Sequence, residues 1–562
     1  MTTFSERLNA LHSRMPDRAA ITLQFSGRDD LPITYDQLLR ASSSFAQTLE
    51  QEGIRPGEVV VLILQHGEDL VYSFWGVILQ GAIPSIMPFL TEKLSPERYK
   101  ADLSALIAVT KPAAIVTYPE FEGEVRAALQ EGDAVRSVVV ADRIEARADI
   151  DFTSLKGPRR TPEDIVLLQH SSGTTGLQKG VALSHQAVFN QLISYGKSLS
   201  LAESDVIVSW LPLYHDMGLI AGFLMPILSG IPLVIMSPFD WVRAPYKLLQ
   251  SISKYQGTLT WLPNFAYNFC AQKIRDRHIE GMDLSSLRGV INCSEPVRWE
   301  SHVAFYERFK DYGLKFEALQ TSYAMAENVF GVTQSQLGNA PIVEEIDREA
   351  FMIERVAKNP LDGHPSIRMM SSGQPLKNVR MIVVDENGNE VPEGVIGELA
   401  LQSDCMLTGY FNRPDLTKKV FRNGWYLTGD YGYISKREVF VSGRKKDMII
   451  VGGKNIYPQD LEALTDEVSG VHAGRSVAFG MFDETQGTED VVVIAEVASE
   501  DANEQQKIAD AIRLHVTKNS AIALRYVKVV GPKWILKTSS GKTARSANKE
   551  KFLLELQEGR GN

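Results

Sequence analysis

The feature that most constrains the fold of this chain is a repeated alternation between helix-period segments and short aliphatic or β-branched runs. From Tyr35 to Gln51 the apolar residues recur at the spacing of one helix face. Strand-like runs lie at 58–64, 113–117, 137–140 and 206–211. Such alternation predicts mostly parallel sheets covered by helices. Ligands of these folds gather at the carboxyl ends of the strands.

The second part of the chain has a different pattern of strand-like runs and turn residues. Short strand-like runs at 380–384, 397–401 and 439–442 are separated by Gly, Asn and Pro turns, and the charged stretch Gly443 to Asp447 then precedes an α/β tail with its clearest strand at 491–497. A chain of 562 residues is also too long for one core. We therefore predict an α/β protein with a large N-terminal domain at 1–443 (two βα-layered sheets plus a small β subregion), a hinge at 444–447 and a small, mobile α/β C-terminal domain at 448–562.

The segment LLQHSSGTTGLQKGV, from Leu167 to Val181, indicates a strand, a loop and a second strand. Glycines let the backbone approach phosphate oxygens, and hydroxyls, N–H groups and a lysine supply donors and positive charge. The loop is not a Walker loop, because Gln178 and Gly180 stand where that motif needs Gly and Ser or Thr. It predicts phosphate binding, with a solvated polar turn as the alternative. The candidate residues are Ser171, Ser172, Gly173, Thr174, Thr175, Gly176 and Lys179.

Charge and cysteine content narrow the classes of partner and compartment. A net charge of −10 and a pI near 5.6 argue against nucleic-acid binding, which normally needs a basic excess. Cys270, Cys293 and Cys405 lack C-x-x-C spacing, so they suggest neither a disulfide framework nor a zinc site. Because the N-terminal segment also lacks the apolar core of a signal peptide, we predict a reducing cytoplasm.

One uncharged segment, Gly218 to Met236, approaches the length of a membrane span. Pro226, Gly230 and Pro232 divide it into a helix-length piece and a strand-length piece at 231–236. We therefore predict a buried α/β segment and no membrane span.

Together with the phosphate loop, four further stretches resemble the signature set of the adenylate-forming superfamily, which includes acyl-CoA synthetases, peptide-synthetase adenylation domains and luciferases. Each is a weak signal alone, whereas all of them in the expected order across most of the chain are specific. They are SYAMAE at 322–327, YLTGD at 426–430, GRKKD at 443–447 leading into GGKNIYP at 452–458, and KTSSGK at 537–542.

Within that superfamily the chain is most similar to the fatty acyl-AMP ligases. The similarity rests on WLPLYHDMGLI at 210–220, PNFAY at 263–267 and NCSEPV at 292–297. The segment between Glu327 and Gly373 is also longer than its counterpart in CoA ligases, at the place where acyl-AMP ligases carry an inserted motif.

The resemblance implies ATP-dependent activation of a carboxylic acid, a fatty acid in that family, to acyl-AMP with release of pyrophosphate. The acyl group then passes to the phosphopantetheine thiol of an acyl carrier protein, in lipid metabolism or in polyketide and lipopeptide biosynthesis. An acyl-CoA synthetase using free CoA and a catalytically silent relative that binds nucleotide or acyl ligand stay open as alternatives. A P-loop NTPase is a weaker one, because the Walker pattern fails.

The resemblance also assigns catalytic groups. Joining a carboxylate to ATP brings two anions together, so cations must stabilise the charge that grows on the α-phosphate. Mg²⁺ is expected near Thr175 and Glu327, in keeping with its preference for oxygen ligands. Lys542 is expected to bridge the acyl carboxylate and the α-phosphate, with a merely exposed lysine as the alternative. Lys446 matches the hinge about which the C-terminal domain of relatives rotates.

The remaining assignments concern the nucleotide. Tyr323 is expected to stack on adenine, with a core aromatic as the alternative, while the backbone around Ser294 and Glu295 reads the base edge. Asp430 is expected to accept from both ribose hydroxyls and Arg444 to donate to the same sugar, with a surface ion pair as the alternative. The segment Ser322, Tyr323, Ala324 and Met325 completes the nucleotide set.

The acyl group is expected at His215, Asp216, Asn264, Phe265 and Ala324, with a structural histidine as the alternative for His215. Some positions depart from the family pattern: Ala324 and Cys293 stand where glycine is usual, and Gln178 and Leu536 where proline is usual. The added volume at the first two leaves open a shorter, functionalised or aromatic carboxylate.

Overall fold

Two sheets of mostly parallel strands and a smaller, mainly antiparallel β region account for most of the strands, as the alternation predicts. The structure is a computed structural model that separates into two units by packing. The first unit contains residues 1–341, 372–380 and 402–424, and the second contains 342–371, 381–401 and 425–562. The residues described are 2–89, 96–144, 152–170, 179–451, 454–483, 488–520, 522–538 and 541–558.

The first sheet of the first unit has parallel neighbours throughout, except for its antiparallel last pair. The strands at its centre are buried at every position, which explains why they are continuous apolar runs rather than alternating ones. In spatial order the strands are Leu319–Thr321, Gly289–Asn292, Leu259–Leu262, Ile207–Ser209, Leu233–Met236, Ala19–Gln24 and Leu31–Thr34.

The second sheet of the first unit contains the two strands that flank the predicted phosphate loop. Ile165–His170 and Gly180–Ser184 pair antiparallel, with His170 opposite Gly180. The two flanking strands of the strand, loop, strand prediction are thus confirmed, while the loop residues 171–178 lie outside the described residues. In spatial order the strands are Gly409–Tyr410, Gly180–Ser184, Ile165–His170, Ile83–Ile86, Val59–Ile63, Ala114–Thr117 and Ser137–Val140.

Helices of the first unit begin and end at signals that the sequence carries. Tyr35–Gln51 follows Thr34, whose side chain accepts from the N–H of Gln37 while the Gln37 side chain accepts from the N–H of Thr34. Glu68–Gln80 ends at Gly81, whose φ of 90° is left-handed. The helices are Phe4–Arg14, Tyr35–Gln51, Glu68–Gln80, Pro96–Thr110, Glu122–Ala128, His185–Ser198, Met225–Ser229, Pro238–Arg243, Tyr246–Tyr255, Asn264–Lys273, Trp299–Phe309 and Pro414–Val420.

The uncharged segment near residue 225 folds as a buried helix followed by a strand, as predicted. A π-helical stretch, Met217–Leu224, continues into Met225–Ser229 and ends at Gly230, and the strand Leu233–Met236 follows. In the part of the chain that the structure describes, no helix is long and apolar enough to cross a membrane.

The second unit combines the small β region with the C-terminal α/β tail, and the predicted fold class is confirmed. In its β region Trp425–Ser435 pairs antiparallel with both Gly397–Ser403 and Glu438–Arg444. The strand Val379–Val384 belongs to the same β region. The tail contains a two-stranded sheet of Ile449–Val451 and Lys454–Ile456, and a three-stranded sheet of Val471–Asp483, Thr488–Val497 and Leu524–Val530. Its helices are Pro458–Asp466, Ala502–Ser520 and Arg545–Glu558.

The long segment before Gly373 forms a hairpin of Val343–Asp347 and Ser366–Met370 within the second unit. Phe351, between these strands, lies 5.8 Å from Tyr457 in ring-centroid distance, in a hydrophobic cluster that also contains Tyr431. This cluster joins residues on both sides of the predicted hinge, so packing alone does not divide the chain at 444–447. The domain boundaries and the hinge stay predictions.

The charged stretch 443–447 is shared between a strand and a turn. The strand Glu438–Arg444 continues through Gly443 and Arg444, two residues beyond the strand-like run at 439–442. Only Lys445–Asp447 leaves the sheet, as a single 3₁₀ turn. Arg444 stays in the sheet because it pairs with Asp430 on the neighbouring strand Trp425–Ser435.

Candidate active site

Four neighbouring parallel strands of the first sheet deliver the predicted adenine and acyl segments to one edge. The carboxyl ends of parallel strands meet at the same edge, so the segments that follow them lie side by side. In spatial order, each strand and the segment after it are Leu319–Thr321 with 322–327, Gly289–Asn292 with 293–295, Leu259–Leu262 with 263–265, and Ile207–Ser209 with 210–216.

The Ser322 to Ala324 segment is held by a second stretch of chain. The Ser322 hydroxyl donates to the carbonyl of Thr333 at 2.7 Å, and the N–H of Tyr323 donates to the Thr333 hydroxyl at 3.0 Å. Ala324 forms a β-bridge with Gly331, and the N–H of Met325 donates to the carbonyl of Phe330 at 2.9 Å. The Ser322 side chain is therefore engaged within the fold, and the stacking of Tyr323 on adenine stays a prediction.

The chain turns sharply at Ser294, which has a left-handed φ of 71°. The next residue, Glu295, accepts from the N–H of Phe265 through its carboxylate at 2.9 Å. This bond satisfies a donor at the start of the helix Asn264–Lys273. The Glu295 side chain thus joins two neighbouring predicted segments, which leaves its backbone as the part proposed to read a base.

The Asn264 side chain is engaged in similar contacts. Its Oδ1 accepts from the Asn292 amide at 3.0 Å and from the N–H of Arg298 at 3.2 Å, and its Nδ2 donates to the Ser301 hydroxyl at 3.1 Å. These contacts are those of a structural residue that orders the edge of the sheet. A direct contact between Asn264 and the acyl group stays a prediction.

Phe265 belongs to a buried aromatic cluster that sequence reasoning did not recognise. Trp210 and Trp241 stack at a centroid distance of 3.6 Å, and Phe265 lies 6.3 and 6.1 Å from them. Phe269 lies 5.3 Å from Trp241. Trp241 stands outside every motif, so no sequence pattern pointed to it. The cluster provides a broad, rigid apolar wall at this edge of the sheet.

His215 and Asp216 lie at the start of the π-helical stretch. Oδ1 of Asp216 accepts from the N–H of Met217 at 2.8 Å. The N–H of His215 donates to the carbonyl of Pro212 at 3.2 Å, and its ring lies 5.1 Å from that of Tyr214. The carbonyl of His215 also accepts from the N–H of Leu219 at 2.7 Å, so the backbone of His215 is held by this stretch. A contact of His215 or Asp216 with the acyl group stays a prediction.

Glu327, the predicted metal ligand, has a largely buried carboxylate with charged groups of both signs near it. Its Oε1 accepts from the Tyr410 hydroxyl at 2.8 Å, and Nζ of Lys179 lies 4.8 Å from the centre of the Tyr410 ring. Burial raises the pKa of the Glu327 carboxyl, the Tyr410 hydrogen bond opposes this, and the negative charge of Asp216 raises it further. Such a site favours a cation, which would offset the cost of a buried carboxylate.

Tyr410 was missed by sequence reasoning, because it stands 83 positions from Glu327. It reaches the carboxylate through sheet pairing: the strand Gly409–Tyr410 lies beside Gly180–Ser184, with Tyr410 opposite Val181. The strand that follows the phosphate loop therefore also positions the tyrosine that holds Glu327.

The turn after Glu327 is strained. Val329, which is fully buried, has a φ of 64° and a ψ of −56°. A β-branched residue at positive φ is a genuine outlier, at a cost on the order of 1–3 kcal/mol. Strain of this kind persists where the surroundings over-determine a conformation, and it is common at ligand-binding sites.

Within the described residues, no group of three or more His, Cys, Asp or Glu side chains is placed to hold a metal ion. Thr175, the second predicted metal residue, belongs to the phosphate loop and lies outside the described residues. Mg²⁺ does not need such a group, because it is usually bound through one or two carboxylates together with substrate phosphates and waters. The Glu327 carboxylate fits that pattern.

Lys542 belongs to the second unit, in a hairpin between Leu536 and the last helix. The N–H of Thr538 donates to the carbonyl of Lys542 at 2.7 Å, and the N–H of Lys542 donates to the Thr538 hydroxyl at 3.2 Å. A β-bridge between Lys537 and Thr543 closes the hairpin. These bonds fix the backbone of Lys542 and leave its side chain half-buried.

Asp430, Arg444 and Lys446 also belong to the second unit. Asp430 is opposite Arg444 in the strand pair, and Nε of Arg444 lies 3.5 Å from Oδ1 of Asp430. Lys446 is exposed in the turn Lys445–Asp447. Asp430 and Arg444 are therefore neighbours. This arrangement fits a shared ribose site and fits a surface ion pair equally well.

The chain is similar to known proteins over most of its length. The family described as AMP-binding enzyme matches residues 9–411. Long-chain-fatty-acid–AMP ligase FadD26 of Mycobacterium bovis is 29% identical, over 96% of this chain and 95% of the relative. A structure from studies of fatty acyl-adenylate ligases of E. coli and L. pneumophila matches with a TM-score of 0.89 and 25% identity, over 100% of this chain and 98% of that one. McyG A-PCP complexed with phenylalanyl-adenylate matches with a TM-score of 0.86 and 27% identity, over 99% of this chain and 84% of that one.

Proposed function

The chain belongs to the family of AMP-binding enzymes, and from this premise we propose that it joins a fatty or related carboxylic acid to AMP and passes the acyl group to a carrier-protein thiol. The prediction that the chain is an AMP-forming ligase is confirmed. The proposal is carried by the edge of the first sheet, where the predicted adenine and acyl segments follow four neighbouring parallel strands. The proposed substrates are ATP, the acid and the phosphopantetheine of an acyl carrier protein.

In the first step an oxygen of the acid attacks the α-phosphorus of ATP. The bond to the β-phosphate breaks, and pyrophosphate leaves with the electron pair. In the second step the thiol attacks the acyl carbon, loses its proton, and releases AMP. Both steps place negative charge in a desolvated site, so preorganised cations and donors are the main requirement.

The residues of this chain divide that task. We propose that Lys542 stabilises the negative charge on the α-phosphate and the acyl carboxylate. Lys179 and the loop Ser171 to Gly176 would bind the leaving pyrophosphate. Glu327 and Thr175 would hold Mg²⁺, which when bound neutralises phosphate oxygens and orients the triphosphate. Asp430 and Arg444 would hold the ribose.

The acid is proposed from the relatives and from the aromatic cluster. FadD26 is named for long-chain fatty acids, and the McyG structure holds phenylalanyl-adenylate. The rigid aromatic wall beside Phe265 and the added volume of Cys293 and Ala324 leave a shorter, functionalised or aromatic chain open beside a long unbranched fatty acid. Acid-dependent exchange of labelled pyrophosphate into ATP, across a panel of alkyl, hydroxyalkyl and arylalkyl acids, measures this preference.

The acceptor is tested in a separate assay. We expect acylation of a holo carrier protein, and little thioester formation with free CoA, because FadD26 is named as an AMP ligase and the structural match comes from fatty acyl-adenylate ligases. Rapid turnover with CoA and none with holo carrier protein would replace the carrier proposal with an acyl-CoA synthetase. Cys270, Cys293 and Cys405 are buried thiols rather than disulfides, in keeping with the reducing cytoplasm that we propose as the compartment.

Replacing Tyr410 with phenylalanine is expected to slow adenylation about 10-fold and to raise the Mg²⁺ concentration that gives half-maximal rate. The change removes the donor that holds the Glu327 carboxylate, and a hydrogen bond to a charged group contributes about 1.5–3 kcal/mol. The phenyl ring stays available to Lys179.

The matched control for this variant is Tyr255→Phe. Its hydroxyl donates to the Asp30 carboxylate at 2.5 Å, in the same unit but on a helix that carries no predicted site residue. We expect this variant to leave the Mg²⁺ titration unchanged. Equal shifts in the two variants would mean that Tyr410 has no particular role at Glu327.

A further inference from the structure

Arg545, the first residue of the last helix, joins three separate segments of the second unit through one guanidinium group. Its Nη1 lies 3.0 Å from Oδ2 of Asp447, and its Nη2 lies 2.6 Å from Oε1 of Glu462. Its Nε donates to the carbonyl of Ala478 at 2.8 Å. The side chain is 17% exposed, as is expected for an arginine whose donors are directed to buried acceptors.

The three partners lie on different elements. Asp447 ends the turn Lys445–Asp447, Glu462 lies on the helix Pro458–Asp466, and Ala478 lies on the strand Val471–Asp483. A planar guanidinium presents donors in fixed directions, so it fixes angles as well as distances between its partners. A lysine ammonium at the same place would hold its partners without fixing their orientation.

Arg545 is also rigidly connected to the hairpin that carries Lys542. The N–H of Ala544 donates to the carbonyl of Leu536 at 3.0 Å. Fully buried Asn548, on the same helix, accepts from the N–H of Leu536 at 2.8 Å and donates to the carbonyls of Leu536 and Ala544, both at 2.9 Å. The hairpin therefore cannot rotate relative to the start of the helix without breaking these bonds.

We propose that Arg545 is a positioning residue for Lys542, because it fastens the Lys542 hairpin to the turn Lys445–Asp447. Lys542 and the predicted pivot Lys446 then belong to one rigid body, and a rotation at the pivot moves the lysine through the same angle. Arg545 is assigned no contact with substrate. This inference rests on the proposed role of Lys542 in adenylation.

The experiment compares Arg545→Lys and Arg545→Gln with Lys528→Met. Lys528 forms an ion pair with Glu555, which lies on the same helix as Arg545. Lys528→Met therefore also removes an ion pair to this helix, but one that does not involve the turn or the hairpin. Single-turnover adenylation, acyl transfer from preformed acyl-AMP and the KM for ATP are measured in each variant. Hydrogen exchange of the peptide spanning 536–545 is followed in parallel.

For Arg545→Gln we expect adenylation to fall about 10- to 100-fold, as is typical of a small misplacement of a catalytic group. Transfer from preformed acyl-AMP should fall less, the KM for ATP should change less than about twofold, and the 536–545 peptide should exchange faster. Arg545→Lys should lie between this variant and the wild type. Lys528→Met should leave all four measurements unchanged.

The outcomes separate this inference from the proposed function. If adenylation by the wild type depends on Lys542 but both Arg545 variants behave like Lys528→Met, the inference is overturned and the function stands. A uniform loss of both steps, with hairpin exchange no faster than that of the rest of the tail, would also overturn it. If the wild type shows no acid-dependent exchange, the proposed function fails, and unchanged hairpin exchange in Arg545→Gln then also overturns the positioning role.

Discussion

Replacing Lys542 with alanine is expected to slow adenylation by about 10²–10³-fold, the usual effect of losing one preorganised donor to a developing charge. The acyl carboxylate and the α-phosphate are both anionic, and a cation that touches both offsets the repulsion when their oxygen and phosphorus atoms meet. The hairpin should survive the substitution, because its bonds are made by the backbone and by Thr538 rather than by the lysine side chain.

This prediction is checked by measuring the two half-reactions separately. Single-turnover formation of acyl-AMP should show the full loss, whereas acyl transfer from synthetic acyl-AMP to a holo carrier protein should fall much less. The matched control is Lys537→Ala in the same hairpin, whose ammonium donates to the carbonyl of Gly474 at 3.0 Å. If Lys542→Ala slows both half-reactions equally, Lys542 has no specific role in adenylation.

Lys179→Ala provides the comparison with the phosphate loop. Nζ of Lys179 lies over the Tyr410 ring and is assigned to the pyrophosphate, so its loss should weaken ATP binding and reduce the single-turnover rate less than Lys542→Ala does. A larger rate loss in Lys179→Ala than in Lys542→Ala would mean that the loop, rather than Lys542, supplies the main catalytic charge. The roles of the two lysines are therefore decided by one rate comparison.

The fold was predictable wherever a local pattern determines the structure. The helix Tyr35–Gln51 and the strand Ser137–Val140 have the predicted bounds, because apolar periodicity and capping residues act over a few positions. The predicted strand at 206–211 is shorter, at Ile207–Ser209. Its last apolar residues leave the sheet, where Trp210 stacks on Trp241. Hydrophobicity alone does not distinguish a residue in a strand from one in an aromatic cluster.

The motifs of the candidate site could be found in the sequence, but the contacts between them could not. The adenine and acyl segments were identified as motifs, and the parallel topology of the first sheet brings these segments to one edge. Tyr410 and Arg545 were not found, because their partners Glu327 and Asp447 lie 83 and 98 positions away. Contacts at such separations depend on the pairing of distant strands and helices, which periodicity does not encode.

Replacing Glu327 with glutamine is expected to reduce adenylation by about 10²-fold or more, because the change removes a full negative charge from the proposed Mg²⁺ site while keeping the side-chain shape. The fold should tolerate it. Burial raises the pKa of the Glu327 carboxyl, so the ionised form is the one that the folded state disfavours, and a neutral amide avoids that cost. A melting temperature at or above that of the wild type, together with a weakened stabilisation by Mg²⁺ and ATP, is the expected result.

A double-mutant cycle with Tyr410→Phe then tests how the two residues act. If Tyr410 works by holding the Glu327 carboxylate, its substitution should have almost no further effect once residue 327 is glutamine, so the two losses should not add. The Tyr255→Phe control should leave the rate unchanged in either background. Fully additive losses for Glu327 and Tyr410 would mean that they contribute independently, and the hydrogen bond at 2.8 Å between them would then have only a structural role.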